Sequence, residues 1–192
     1  MSSRRLALAA VVLVLAALAV WLFSASPKAP TLTGTTLSGQ PVSTRTYEGR
    51  PYLVNFWATS CVTCVKEMPE LVNLHREFAD RGFEVFAIAM AYDVPEYLQR
   101  FVEERALPFQ VVHDRSGQWA QAYGDIRVTP TTFLVGPQGE ILKRYVGPPD
   151  FPYLKRWLEQ ALPARPHDKT SAPGRPPQHG QTPFVGPAAP AS

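Results

Sequence analysis

The run YLVNFW, residues 52–57, constrains the fold more than any other stretch, because only Asn55 interrupts its apolar character. Apolar runs of this length, bounded by turn residues, are typical of strands that are buried on both faces of a sheet. The segment that follows has apolar residues at helical spacing, among them Met68 and Leu71, which predicts an amphipathic helix over about residues 61–81. A doubly buried strand that leads into such a helix indicates an α/β fold.

The rest of the chain continues this alternation of strands and helices. Further strands are predicted in FEVFAIAMA and PFQVVHD, further helices in PEYLQRFVEERA and SGQWAQAYG, and a hairpin in TTFLVGPQGEILKRYVG. A last helix, 150–162, begins at the capping residue Asp150. The order β-α-β-α-β-α-β-β-α predicts a mixed central sheet flanked by helices, with its last two strands as an antiparallel pair at one edge. Residues 31–50 alternate apolar and polar side chains and predict an additional N-terminal β-hairpin.

Composition divides the chain into four parts. The folded domain is expected over residues 31–162, after an N-terminal segment, 1–23, and a linker, 24–30. Residues 163–192 are rich in Pro, Ala and Gly and almost without large apolar side chains, so a disordered tail is expected there. The formal net charge is +3, and acidic and basic residues are well mixed. The absence of a basic run argues against a nucleic-acid partner.

The N-terminal segment predicts a membrane anchor. Arg4 and Arg5 precede the uncharged run Leu6–Phe23, which is close to the shortest length that spans a bilayer and exceeds the usual core of a signal peptide. A cleaved signal is the alternative, although Pro27 directly after Ser24–Ser26 disfavours cleavage there. Because the two arginines should stay in the cytoplasm, we expect a single-pass protein of the bacterial cytoplasmic membrane whose domain faces the periplasm.

Cys61 and Cys64, the only cysteines, directly follow the first buried strand with C-x-x-C spacing. Covalent haem attachment is excluded at this motif, because Val65 rather than histidine follows the second cysteine. A structural zinc site needs four ligands, and the chain has no second cysteine pair. A Cu(I) site with His75 or His113 as a third ligand stays open. A structural staple is a poor explanation, because so short a loop stabilises little through chain entropy.

A redox-active dithiol is the favoured interpretation of the pair. Cys61 lies at a predicted helix start, where free N–H groups and the helix dipole stabilise a thiolate. Cys64 lies one turn further along the same side of the helix. Cys61 is therefore predicted to be the exposed attacking thiol and Cys64 the buried resolving thiol. This chemistry needs no metal and no cofactor besides the Cys61–Cys64 disulfide.

Three stretches, VNFWATSCVTCVKEMPEL, GFEVFAIAM and YGDIRVTPTTFLVGPQGEI, together carry a specific resemblance. Over Thr31–Leu162 the chain resembles TlpA/ResA/CcmG-type proteins, which are membrane-anchored bacterial thiol–disulfide oxidoreductases. The resemblance implies a thioredoxin fold with an added N-terminal β-hairpin. It also implies a cis Thr129–Pro130 bond against the disulfide, with the Thr129 backbone pairing with an extended substrate segment.

The resemblance places Trp57 and Ser60 beside Thr129 and Pro130 in the substrate-binding region. Trp57 is expected to pack as core and to shield the disulfide. Ser60 stands where most relatives have Trp. We therefore expect a smaller side-chain cover over the disulfide and a different choice of partner protein. Thr63 stands where strongly oxidising relatives often have His. We therefore expect a reduction potential nearer to about −270 mV than to about −120 mV.

Glu67 is the third catalytic candidate, because it lies three residues after Cys64 on the same helical face. In ResA-like proteins a Glu at this position influences the thiol chemistry. Burial would raise the pKa of such a carboxyl and let it exchange a proton with Cys64. Asn55 stands where thioredoxin has a buried Asp, so that route for the proton is absent here.

The function that the resemblance implies is an anchored disulfide reductase for periplasmic proteins. Its clients would be apocytochrome c or copper-site proteins, and its electrons would come from a transmembrane thiol carrier of the DsbD/CcdA type. One alternative is a Cu(I)-binding delivery module. Another is a peroxiredoxin-like peroxidase, although Ala58–Cys61 matches the Pro/Thr-x-x-Cys setting of those enzymes only in part.

Overall fold

The computed structural model describes residues 12–14 and 26–164. Two short strands come first: β1 (Thr33–Thr35) and β2 (Pro41–Ser43). The main strands are β3 (Tyr52–Trp57), β4 (Glu84–Ala89), β5 (Gln110–His113), β6 (Thr131–Val135) and β7 (Ile141–Val146). The helices are α1 (Val62–Phe78), α2 (Pro95–Arg105), α3 (Gln118–Ala122) and α4 (Phe151–Ala161).

A five-stranded mixed sheet in the order β5-β4-β3-β6-β7 forms the centre of the domain. Strand β3 lies in the middle, parallel to β4 and antiparallel to β6. Strands β6 and β7 form the antiparallel pair at one edge that the sequence predicts. The predicted N-terminal hairpin is also present, as the separate antiparallel pair β1–β2.

The alternation of side chains along β3 divides the core into two layers, one on each face of the sheet. Leu53 and Trp57 pack in the layer that α1, α2 and α4 cover. Val54 and Phe56 pack in the other layer, against α3 and the N-terminal hairpin. Every residue of β3 is buried, as the continuous apolar run predicts.

Helix α1 is slightly shorter than the sequence pattern indicates. It continues through Pro69 and ends at Phe78, and a 3₁₀ turn, Ala79–Arg81, follows it. Gly82 closes this turn with a φ of 97°, a left-handed conformation that glycine adopts without a Cβ clash. The predicted helix over residues 61–81 is thus an α-helix and a tighter last turn.

The start of the domain differs from the expected linker. The Pro27 carbonyl oxygen accepts a hydrogen bond from the Ile141 N–H (2.7 Å), and the Ala29 N–H donates to the Gly139 carbonyl oxygen (2.8 Å). Residues 27–29 therefore lie against the turn between β6 and β7, because the backbone groups of that turn offer them partners.

The expected anchor, residues 1–23, and nearly all of the expected tail, 163–192, lie outside the described residues. Among residues 12–14 and 26–164, no helix has both the length and the apolar character needed to cross a bilayer.

Candidate redox site

The cysteine pair lies at the carboxyl end of β3, where the chain turns into α1. Cys61 is the N-cap of α1, with the non-helical φ and ψ angles of −88° and 103° that a capping residue adopts. The Ala58 carbonyl oxygen accepts a hydrogen bond from the Cys61 N–H (3.1 Å) and closes the turn between strand and helix. The turn thus directs Cys61 onto the first turn of α1.

Cys61 and Cys64 form a disulfide whose Cα atoms are 5.3 Å apart. Cys64 is 0% exposed, whereas Cys61 is partly exposed. The Cys64 N–H donates to the Cys61 sulfur at 3.2 Å, as a backbone amide does to a capping group. When the pair is reduced, this N–H and the helix dipole favour the thiolate on Cys61.

The loop before β6 meets the disulfide from the other side. The Thr129–Pro130 bond is cis, as expected, and the Thr129 carbonyl oxygen lies 3.6 Å from the Cys61 sulfur. The register explains this meeting, because Phe56 near the end of β3 pairs with Thr131 at the start of β6. A polypeptide that bonds to Cys61 would therefore lie along the Thr129 backbone.

Glu67 lies in a buried polar network behind the disulfide and is 5% exposed. The Asn55 amide donates one hydrogen bond to Glu67 Oε1 (3.1 Å) and one to Thr132 Oγ1 (2.9 Å). Among the described residues, neither Glu67 Oε2 nor Asn55 Oδ1 has a hydrogen-bond partner. Burial raises the pKa of Glu67 to about 7, and the bond from Asn55 opposes this rise.

The four predicted substrate-binding residues divide into a surface pair and a buried pair. Ser60 is exposed beside Cys61, and Thr129 is partly exposed. Trp57 is 0% exposed and packs against Phe101 of α2, with ring centroids 5.2 Å apart. It cannot touch a substrate in this state, and it packs in the core as expected. That it shields the disulfide stays a prediction. Pro130 is buried beneath the surface of its loop.

Sequence reasoning missed the loop between β4 and α2. Its Asp93 accepts hydrogen bonds from the Thr59 N–H (2.8 Å) and the Thr59 hydroxyl (2.5 Å). The Tyr92 hydroxyl lies 3.4 Å from Thr129 Oγ1, so the same loop also contacts the cis-proline loop. Adjacent parallel strands bring their carboxyl ends to one edge of a sheet, and this rule could have placed Asp93 near Thr59.

The two histidines considered as copper ligands lie apart from each other. His75 contacts Glu84 at the start of β4 (2.9 Å), whereas His113 ends β5. Among residues 12–14 and 26–164, no group of three or more His, Cys, Asp and Glu side chains is arranged to hold a metal ion.

Comparison with known proteins gives a consistent set of relatives. The family model described as Redoxin matches residues 24–158. The thiol-disulfide oxidoreductase ResA of Halalkalibacterium halodurans is 39% identical over 112 residues, which are 58% of this chain and 62% of that protein. The ResA protein of Geobacillus thermodenitrificans is 31% identical over 135 residues, which are 70% of this chain and 76% of that protein. The chain thus spans less than two thirds of the first relative and more of the second.

The fold also matches a solved structure. A thiol:disulfide interchange protein of the thioredoxin family from Chlorobium tepidum superimposes with a TM-score of 0.65 and 27% identity. The match covers 71% of this chain and 96% of that one. The thioredoxin-like α/β fold with a mixed central sheet is therefore confirmed.

Proposed function

The chain belongs to the Redoxin family, among the relatives of ResA-type thiol–disulfide oxidoreductases, and we propose that it exchanges disulfides with protein clients through Cys61 and Cys64. One observation carries the proposal: the two sulfurs are unequal. Cys61 is partly exposed at a helix start beside the Thr129 carbonyl, and Cys64 is fully buried behind it. Only one sulfur is thus open to a partner, and the other is held ready to release it.

The reduced protein would act in two exchange steps. The Cys61 thiolate attacks one sulfur of a client disulfide, so that a mixed disulfide forms and the second client sulfur leaves as a thiolate. The Cys64 thiolate then attacks the Cys61 sulfur, so that the Cys61–Cys64 disulfide forms and the client is released as a dithiol. Two electrons pass to the client, and the structure corresponds to the oxidised product.

Glu67 supports the second step as a proton acceptor. Cys64 must lose its proton before it can attack, and it is buried away from solvent. Glu67 lies one turn along the same helix, and burial raises its pKa to about 7. A carboxyl with a pKa near neutrality accepts and returns protons efficiently at physiological pH.

The surface around Cys61 suits a polypeptide client. Val62, Tyr92 and Val128 are exposed apolar or aromatic residues. Val62 follows Cys61 in the chain, Val128 precedes Thr129, and Tyr92 contacts Thr129. A client segment that binds along the Thr129 backbone would cover this apolar rim, which supports a protein rather than a small thiol as the substrate.

We further propose that the protein works as a reductase at the outer face of the bacterial cytoplasmic membrane, held there by residues 1–23. Its clients would be apocytochrome c or copper-site proteins, and a DsbD/CcdA-type carrier would return it to the dithiol. The names of the ResA relatives support exchange chemistry. Residue 63 is Thr, where strongly oxidising relatives often have His, and this supports the reducing direction.

A trapping experiment tests the proposed chemistry. The Cys64→Ser variant should accumulate mixed disulfides through Cys61, because the second exchange step is blocked. The Cys61→Ser variant, matched in size and chemistry, should accumulate few, because its remaining thiol is buried. Mass spectrometry of the trapped species would name the client. Equal amounts of mixed disulfide in both variants, or none in either, would refute Cys61 as the attacking thiol.

A redox titration against glutathione or dithiothreitol tests the direction separately. A reductase requires a potential nearer to about −270 mV than to about −120 mV. A value near the oxidising end would refute the reductase role but leave the exchange chemistry intact.

A further inference from the structure

Asp93 is a buried carboxylate that takes no part in the two proposed exchange steps. It is 5% exposed, in the loop that joins β4 to α2. Its Oδ2 accepts the Thr59 N–H at 2.8 Å, and its Oδ1 accepts the Thr59 hydroxyl at 2.5 Å and the Val94 N–H at 3.2 Å. We call the two hydrogen bonds to Thr59 the Asp93–Thr59 clamp. Most of the polar contacts of this carboxylate thus belong to the segment that leads into Cys61.

The clamp holds the turn that carries the attacking sulfur. Thr59 lies inside the turn that the Cys61 N–H closes on the Ala58 carbonyl oxygen. The same turn directs the Cys61 sulfur to the Cys64 N–H. Cys61 thus makes three hydrogen bonds within its own segment, to Ala58, Cys64 and Val65. The clamp adds two bonds from the neighbouring loop to Thr59.

A helix cap alone does not account for Asp93. Its bond to the N–H of the adjacent Val94 lies beside the start of α2, and it is the longest of the three bonds. The shorter two cross from one strand end to the next. The Tyr92 contact with Thr129 comes from the same loop, so the β4–α2 loop contacts both segments that flank the Cys61 sulfur.

We propose that Asp93 is a positioning residue for the redox pair: through the clamp on Thr59 it holds Cys61 where the Cys64 N–H stabilises its thiolate. This inference rests on the proposed function, because Cys61 must be the attacking thiolate for its position to matter. Among residues 12–14 and 26–164, the Asp93 carboxylate makes its hydrogen bonds to Thr59 and Val94 and none to either sulfur, so it acts through Thr59.

A positioning role and a purely electrostatic role of Asp93 predict opposite effects on the pKa of the Cys61 thiol, which makes the proposal testable. If Asp93 acts through the clamp, its loss frees the turn and the Cys61 thiolate loses the N–H that stabilises it. If Asp93 acts only through its negative charge, its loss makes the thiolate easier to form. Thr59 separates the two cases, because replacing it breaks one bond of the clamp and leaves the charge of Asp93 in place.

The measurement is the pH profile for alkylation of Cys61 in the full-length chain, in a Cys64→Ser background that keeps the residue 64 N–H. Asp93→Asn and Thr59→Val should each move the midpoint of this profile upward, by about 0.5 to 1 unit for Asp93→Asn and by less for Thr59→Val. Thr59→Ser keeps the hydroxyl and should restore the original midpoint. The double variant should move it no further than Asp93→Asn alone, because both changes break one contact.

Asp114→Asn is the matched control. Asp114 is also a buried aspartate after a parallel strand, and it accepts the N–H groups of Trp119 and Ala120 at the start of α3. Its replacement removes an equal charge and one of two carboxylate oxygens that accept comparable bonds, as Asp93→Asn does, so it should lower stability without moving the Cys61 profile.

Three results would overturn the inference: a downward shift in Asp93→Asn, an unchanged midpoint in Thr59→Val, or an equal upward shift in Asp114→Asn. Exchange with a model protein disulfide, measured in the chain with both cysteines, tests the proposed function independently. If exchange is absent, the proposed function fails, and the alkylation profile still decides whether Asp93 positions Cys61. If exchange is normal and the profiles coincide, only the role of Asp93 is refuted.

Discussion

Replacing Glu67 with glutamine should change how the stability of the oxidised protein depends on pH. The wild-type side chain is 5% exposed, and burial raises its pKa from 4.5 to about 7. The folded protein therefore holds a proton on Glu67 over a pH range in which the unfolded chain has already released it. Glutamine keeps the size of the side chain and an acceptor for the Asn55 amide but cannot ionise.

The sign and size follow from proton linkage. The pKa of Glu67 is higher in the folded than in the unfolded chain, so the bound proton stabilises the folded state. This contribution to the unfolding free energy is complete below about pH 4.5 and is lost as the pH rises through about 7. A difference of about two and a half pH units corresponds to about 3 kcal/mol of unfolding free energy. The stability of Glu67→Gln relative to wild type should therefore rise by about 3 kcal/mol between acidic and mildly alkaline pH.

Urea unfolding of both proteins, at a series of pH values and without added thiol, measures this difference. Glu70→Gln is the control, since Glu70 is an exposed carboxylate on the same helix. Its replacement removes a solvated charge and should give a nearly constant difference. A Glu67→Gln difference that stays constant within about 0.5 kcal/mol over this range would refute the buried, protonated state of Glu67.

Three further substitutions have expected outcomes. Arg81→Ala should lower the unfolding free energy by about 3 kcal/mol in urea denaturation, because the buried guanidinium donates to the Glu159 carboxylate and to the carbonyl oxygens of residues 159, 162 and 163. Asn55→Asp should make stability fall more steeply with rising pH, because a second carboxyl beside Glu67 opposes ionisation of both. Asp150→Ala should cost about 1 kcal/mol by the same assay, because Asp150 Oδ1 caps α4 through the Tyr153 N–H at 2.9 Å.

Each of these has a control within the chain. Arg81→Lys keeps the charge without the planar fork and should recover only part of the loss. Asn55→Thr removes the amide without a new charge; it should raise the pKa of Glu67 alone, so the pH dependence of stability should change less than in Asn55→Asp. Asp150→Asn keeps a capping oxygen and should be nearly neutral. The contacts of Arg81 and Asp150 would be contradicted if the respective alanine variant kept the wild-type unfolding free energy. The contact of Asn55 with Glu67 would be contradicted if Asn55→Asp left the slope of stability against pH unchanged.

The sequence was sufficient for those parts of the site that depend on neighbours in the chain. Cys61 and Cys64 are three residues apart at a strand–helix junction, so helix geometry alone places them together and makes them unequal. The element order and the buried β3 follow from periodicity in the same way. The cis Thr129–Pro130 bond was predicted only through family resemblance, because no local pattern distinguishes it from an ordinary trans proline.

Contacts between distant segments were not predictable in this way. The bonds from Thr59 to Asp93 and from Asn55 to Thr132 join residues whose separation along the chain carries no pattern. They arise once the strand order is fixed, because the register then decides which loops meet. The same holds for residues 27–29, whose composition indicates a linker although backbone bonds hold them to the β6–β7 turn.

Those bonds at residues 27–29 have a consequence for any tether attached ahead of them. The β6–β7 turn lies at the pole of the domain where β3 begins, because Val135 at the end of β6 pairs with Tyr52. The sulfurs lie at the opposite pole, roughly 20 Å away along a strand of six residues. In a domain held from its N-terminal side, the disulfide would therefore lie at the end of β3 that is farther from residues 27–29. A client that approaches the carboxyl end of β3 would then reach Cys61 directly. A client fixed beside the tether would reach Cys61 only after the domain rotates.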